Sequence, residues 1–135
     1  VGPSNLKTLL AAIPPYWATD RKTFEIRMGA VDRDSLFNRK VSPLFHVDRI
    51  RVPLLVGQGR NDPRVNVRES DQMVTAMRAK GLPVEYVVYT DEGHGFVRQE
   101  NRLDFYVRAE VFLAKHLGGR SEPFTPVPGA AAEVR

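Results

Sequence analysis

Two short runs constrain this chain more than anything else in it. VPLLVGQG (52–59) is apolar and ended by glycines, and VEYVVY (84–89) is built almost wholly of β-branched and aromatic residues. Both have the length and texture of strands buried on two faces. Between them lies VRESDQMVTAMRAKG (67–81), with Val67, Met73, Val74 and Met77 on one helical face and Gly81 as its stop. After the second run, RLDFYVRAEVFLAKHLGG (102–119) predicts a final helix with Leu103, Tyr106, Val107, Ala109, Val111, Phe112, Leu113 and Leu117 largely on one side. Helices alternating with strands in this way predict an α/β fold with a parallel sheet flanked by helices. Two strands are few for such a sheet, which is normally covered on both faces and wider. The expectation is therefore one end of a larger α/β domain, with which an opening Val1 in place of Met agrees.

Upstream of residue 52 the chain reads as helical and irregular. Ser4 is expected to cap a helix carrying Leu6, Leu9, Leu10 and Ile13, ended by Pro14-Pro15. YWATDRKTFEIRMG (16–29) predicts a second helix closing at Gly29. DRDSLFNRKVSPLFHVDRI (32–50) predicts two short helical pieces, the second capped by Ser42 with Pro43 in its first turn. Residues 119–135, with three prolines and no periodicity, are expected to form a flexible tail outside a domain spanning 1–118.

Composition removes several classes of function. A length of 135 residues suits one domain. Without cysteine there is no disulfide, thiol chemistry or cysteine-ligated zinc. Three dispersed histidines show no metal-ligand spacing, so no metal or other cofactor is expected. The net charge of +4 is spread over the chain and interleaved with acids, which argues against nucleic acid as a partner. No apolar stretch is long enough for a membrane span. Localisation and oligomeric state stay open.

Chemistry in an open parallel sheet gathers in loops at the carboxyl ends of its strands. GQGRNDPRV (57–65) follows the first strand and carries Asp62; TDEGHGF (90–96) follows the second and carries His94. If the strands are parallel neighbours, both loops open on one edge and the two side chains meet. An imidazole can then shuttle a proton while the carboxylate holds its tautomer. Asn-Asp-Pro is also an ordinary turn sequence, and a histidine between glycines also occurs in purely structural loops. The pairing at two strand ends is what favours catalysis. Asp before His, each after a strand, is the second half of the α/β-hydrolase order. His46, in a short helix, and His116, near a helix C-terminus, have no such setting.

The segment SPLFHVDRIRVPLLVGQGRNDPRVNVRESDQMVTAMRAKGLPVEYVVYTDEGHGF (42–96) resembles the C-terminal part of the catalytic domain of prolyl oligopeptidase-family serine peptidases, which include dipeptidyl and acylaminoacyl peptidases. VGPSNLKTLLAAIPPYW (1–17) resembles the segment that follows their nucleophile strand and helix. The resemblance implies the C-terminal portion of an α/β-hydrolase domain, a short peptide as substrate and acyl transfer through a Ser-Asp-His triad. It implies that Asp62 is the triad acid and His94 the base, that Arg64 lies near a substrate carbonyl, and that Val65, Tyr16 and Trp17 line the pocket beside the scissile bond; a packing cluster at a helix end is the alternative for Tyr16 and Trp17.

Three departures accompany it. Gln58 stands where relatives often carry histidine, and Asn66 where proline is frequent; both read as tolerated variation without chemistry. The third is that Ser4, Ser35, Ser42, Ser70 and Ser121 all lie outside a Gly-x-Ser-x-Gly elbow. The resemblance implies that the nucleophile, the oxyanion-hole groups and a β-propeller lie upstream, so this chain by itself is expected to be inactive. A carboxylesterase-like hydrolase and a non-catalytic interaction domain are the alternatives.

Overall fold

A computed structural model describes residues 2–135. Helix α1 spans Leu6–Ala11, α2 Arg21–Met28, α3 Ser35–Val41, α4 Val67–Ala79 and α5 Gln99–Leu117, with 3-10 turns at Pro15–Asp20 and Pro43–Arg49. Strands β1 (Leu54–Gly59), β2 (Val84–Tyr89) and β3 (Ala132–Val134) form one sheet in that order.

β1 and β2 pair in parallel, in a register that runs from Leu54 opposite Val84 to Gly59 opposite Tyr89. The two strands therefore end together, and the loops that follow leave from one edge. α4 makes the crossover between them. It starts at Asn66, whose side chain accepts from the Arg68 N–H, so the unusual Asn66 is a helix cap. The period-2 alternation of β2 divides its side chains between two layers. Tyr86 and Val88 pack with Val74 of α4 and with Val56 and Val84, each buried valine contributing roughly 1.5–3 kcal/mol. On the opposite face Tyr89 packs at a tilt against Phe96 with ring centroids 4.5 Å apart, and Phe96 meets Phe105 of α5 at 5.3 Å.

Several local expectations are corrected. Asn5 caps α1, its side chain accepting from the Lys7 N–H. Ser4 bonds to Glu69 instead, since α1 is pinned against the start of α4 and a serine there has a buried carboxylate to satisfy. Ser42 does not cap the turn that follows it; its hydroxyl donates to the Asn38 carbonyl and accepts from the Leu6 N–H. The 16–29 segment divides into a 3-10 turn and α2, and Gly29 closes it at φ +78°. On α5, Leu103, Tyr106, Leu113 and Leu117 face solvent, whereas Asn101 and Asp104 are buried. The buried side of that helix carries polar anchors that a hydrophobicity pattern reads as outside.

The largest departure is at the end of the chain. Ala132–Val134 pairs antiparallel with β2, Val87 opposite Val134 and Tyr89 opposite Ala132. The free edge of β2 offers unpaired backbone groups, and the final residues satisfy them. For these residues the expected loose tail is corrected, and the sheet is mixed where a parallel one was expected.

Candidate active site

Gly59 brings the two strand-end loops together. A Cβ at this position would collide with the backbone oxygens of Gly93 and Glu92, so the loops meet main chain against main chain. Arg60 N–H donates to the Tyr89 carbonyl at 3.0 Å, Asn61 N–H to the Glu92 carbonyl at 2.9 Å, and the Asn61 side chain to the Thr90 carbonyl at 3.0 Å.

Across this junction Asp62 Oδ2 lies 2.9 Å from His94 Nδ1. The Asp62 side chain is fully buried, and its other oxygen accepts from the Arg64 and Val65 N–H groups at 2.8 and 2.9 Å. An ionised carboxylate only accepts, so Nδ1 carries the proton and Nε2 has the free lone pair. Among the described residues Nε2 has no hydrogen-bond partner, while the ring is about one-third exposed. The arrangement can take a proton at Nε2 and stabilise the resulting imidazolium through Asp62.

The remaining sequence candidates fall into two groups. Val65 is buried and, with Arg64, is fastened to Asp62 through its backbone. The Arg64 guanidinium stands 6.0 Å from the Trp17 ring, and both border an apolar cavity of about 20 Å³ with Leu10 and Phe24. That is far below the roughly 300 Å³ of a ligand pocket. Tyr16 is exposed and touches Trp17 edge-on at 6.1 Å. Ser4, Ser42 and Ser70 bond to Glu69, Asn38 and Gln58, and no serine among the described residues bonds to His94.

Sequence reasoning passed over three residues that hold the pair in place. Gln58 is fully buried; its amide nitrogen donates to the Val65 carbonyl at 3.2 Å and reaches Asp62 Oδ2 at 3.5 Å, while its oxygen accepts from Ser70 at 2.8 Å. It braces the acid loop, and the strand-end glutamine set aside as variation has this task. Glu92 closes the histidine loop by accepting from the Val97 and Arg98 N–H groups at 3.0 and 2.8 Å and from Asn101 at 2.9 Å. An acid directly before Gly-His-Gly was the available signal for it; Asn101, on a helix seven residues beyond the histidine, gave none.

Burial alone would raise the Glu92 carboxyl, but the hydrogen bonds from Asn101, Val97 and Arg98 prevail and hold it below its usual 4.5. A depressed carboxyl stabilises the fold at pH above its unfolded value, and that contribution is lost as pH falls through the lower folded value. Glu92→Gln is accordingly expected to flatten the decline of urea stability between about pH 5 and pH 3. Equal slopes for variant and parent would count against this role.

Comparison with known proteins gives a consistent outcome. The sequence model of the prolyl oligopeptidase family matches residues 16–120. The chain is 54% identical over 125 residues to dipeptidyl aminopeptidase BIII of Pseudoxanthomonas mexicana, covering 91% of the chain and 18% of that protein. It is 47% identical over 132 residues to dipeptidyl peptidase family member 6 of Caenorhabditis elegans, covering 93% of the chain and 17% of the relative. Among solved structures, a puromycin-hydrolyzing peptidase of Mycobacterium tuberculosis superposes with a TM-score of 0.72 at 28% identity, over 93% of the chain and 19% of that structure. The chain thus spans under a fifth of the length of the curated relatives it matches.

Proposed function

This chain belongs to the prolyl oligopeptidase family, and we propose that it supplies the acid and base of a serine peptidase that cleaves short peptides. Its fold is that of the α/β-hydrolase peptidases it superposes on. The observation that carries the reading is the 2.9 Å contact between the buried Asp62 carboxylate and His94 Nδ1, at the shared end of two parallel strands.

In the proposed reaction His94 Nε2 takes the proton of a serine hydroxyl contributed by another part of a longer protein. The serine oxygen bonds to the scissile carbonyl carbon. The C–N bond then breaks as the imidazolium returns the proton to the leaving amine. Water repeats the sequence on the acyl-enzyme, Nε2 again taking the proton, and the acid product and serine are released. Asp62 keeps Nδ1 protonated throughout. Arg64 is assigned to a substrate carbonyl, and Val65, Tyr16 and Trp17 to the pocket beside the scissile bond. The relatives quoted are named as peptidases, which favours this reading over an esterase.

The test is hydrolysis of chromogenic aminoacyl and dipeptidyl amides by the full-length protein containing this chain. Turnover abolished by a serine-directed fluorophosphonate and by His94→Ala is expected, with no turnover from the 135-residue chain alone. Release no faster than buffer from the full-length protein, or full activity in His94→Ala, would overturn the proposal.

A further inference from the structure

The family match ends at residue 120, yet the residues after it reach the histidine loop. We infer that the C-terminal segment 131–135 is a positioning element for that loop, acting through Asn101. Its consequence for catalysis rests on the triad reading above.

Asn101 is fully buried at the start of α5, and every group on its amide is engaged. The nitrogen donates to Asp91 Oδ1 at 2.8 Å and to Glu92 Oε1 at 2.9 Å, and the oxygen accepts from the Ala131 N–H at 2.8 Å. The carbonyl of Ala131 accepts from the Thr90 N–H at 3.0 Å. One residue of the tail therefore holds the first residue of the histidine loop and, through Asn101, the two acids that follow it. Glu92 passes the restraint to the Val97 and Arg98 N–H groups, and Asp91 pairs with Arg98 at 3.1 Å. His94 lies inside the ring so closed.

The orientation of the Asn101 amide is the decisive point. The two ends of an asparagine amide are nearly the same in shape and opposite in hydrogen bonding. Asp91 and Glu92 need donors and turn the nitrogen toward the loop, and the Ala131 N–H meets the oxygen on the other side. Without the tail that buried oxygen is left without a donor, and an asparagine held from one side only no longer fixes the two acids it bonds to. The tail is in turn fixed at its far end: Arg135 N–H donates to the Tyr86 carbonyl at 3.0 Å, its guanidinium pairs with Asp71 at 3.3 Å, and Glu133 pairs with Arg60 of the acid loop.

The experiment compares the full-length protein with a variant lacking residues 130–135 and with Asn101→Asp, which keeps the shape but loses the donors to Asp91 and Glu92. Amide exchange, followed by mass spectrometry, is expected to quicken about tenfold or more across residues 92–98 in both variants while α4 keeps its protection. In the same variants kcat is expected to fall roughly 10- to 100-fold with KM little changed, as for a displaced catalytic group. Unchanged exchange at 92–98, or protection lost equally in α4, would overturn the inference, the latter by showing a general role in stability. If the parent cleaves no amide, the triad reading fails and the exchange comparison still decides this one.

Discussion

Asp62→Asn is expected, under the proposed triad, to lower kcat of the full-length protein by about 10⁴-fold with KM little changed. The size follows from how Asp62 is held. Its Oδ1 accepts from the Arg64 and Val65 N–H groups, and only an oxygen can take that place. In the variant the amide oxygen must stay there, so the NH₂ group is turned toward His94 Nδ1. Two donors cannot face each other, and the ring responds by carrying its proton on Nε2. The nitrogen meant to accept a proton from serine is then already protonated, although every heavy atom remains near its original position. Steady-state kinetics on a chromogenic aminoacyl amide checks this. A variant within tenfold of the parent would mean that Asp62 only shapes the loop.

The largest loss of stability is expected at Gly59. In Gly59→Ala the new methyl meets the backbone oxygens of Gly93 and Glu92, and main chain cannot rotate out of the way as a side chain can. The loops must separate, breaking the bonds from Asn61 to the Glu92 and Thr90 carbonyls. Overpacking costs about 1–3 kcal/mol, and a clash with main chain belongs at the upper end, visible as a fall in the urea midpoint. Gly57→Ala is the control. Its Cβ meets the ring of Phe105, whose side chain has more freedom to give. Equal losses at the two glycines would contradict the backbone-contact argument.

Both expectations concern residues whose setting the sequence shows only in part. The meeting of Asp62 and His94 was legible because each follows a strand signal and the intervening helix pattern has the length of a crossover. The family resemblance then assigned them roles. Gly59 read as a strand terminus, without the close approach that explains it. Gln58 was legible as an oddity, and its function was not. A buried amide acquires a role from the groups around it, here Val65, Asp62 and Ser70, and no local pattern encodes them. Leu103 and Leu117 show the same limit from the other side: their spacing on α5 suggests burial, and the helix turns them to solvent.

By itself the sequence determined the β1–α4–β2 unit and the two loops at its end. Strand texture, helical period and glycine stops are properties of a few neighbouring residues and can be read without any tertiary contact. Only the tertiary structure decided how the site is held. The parallel register that ends both strands together, the backbone contact at Gly59, and the Asn101 link between Glu92 and Ala131 all join residues far apart in the chain. So does the pairing of β3 with β2: a three-residue strand has too little pattern to announce itself, and the unpaired edge of β2 supplies its reason to form.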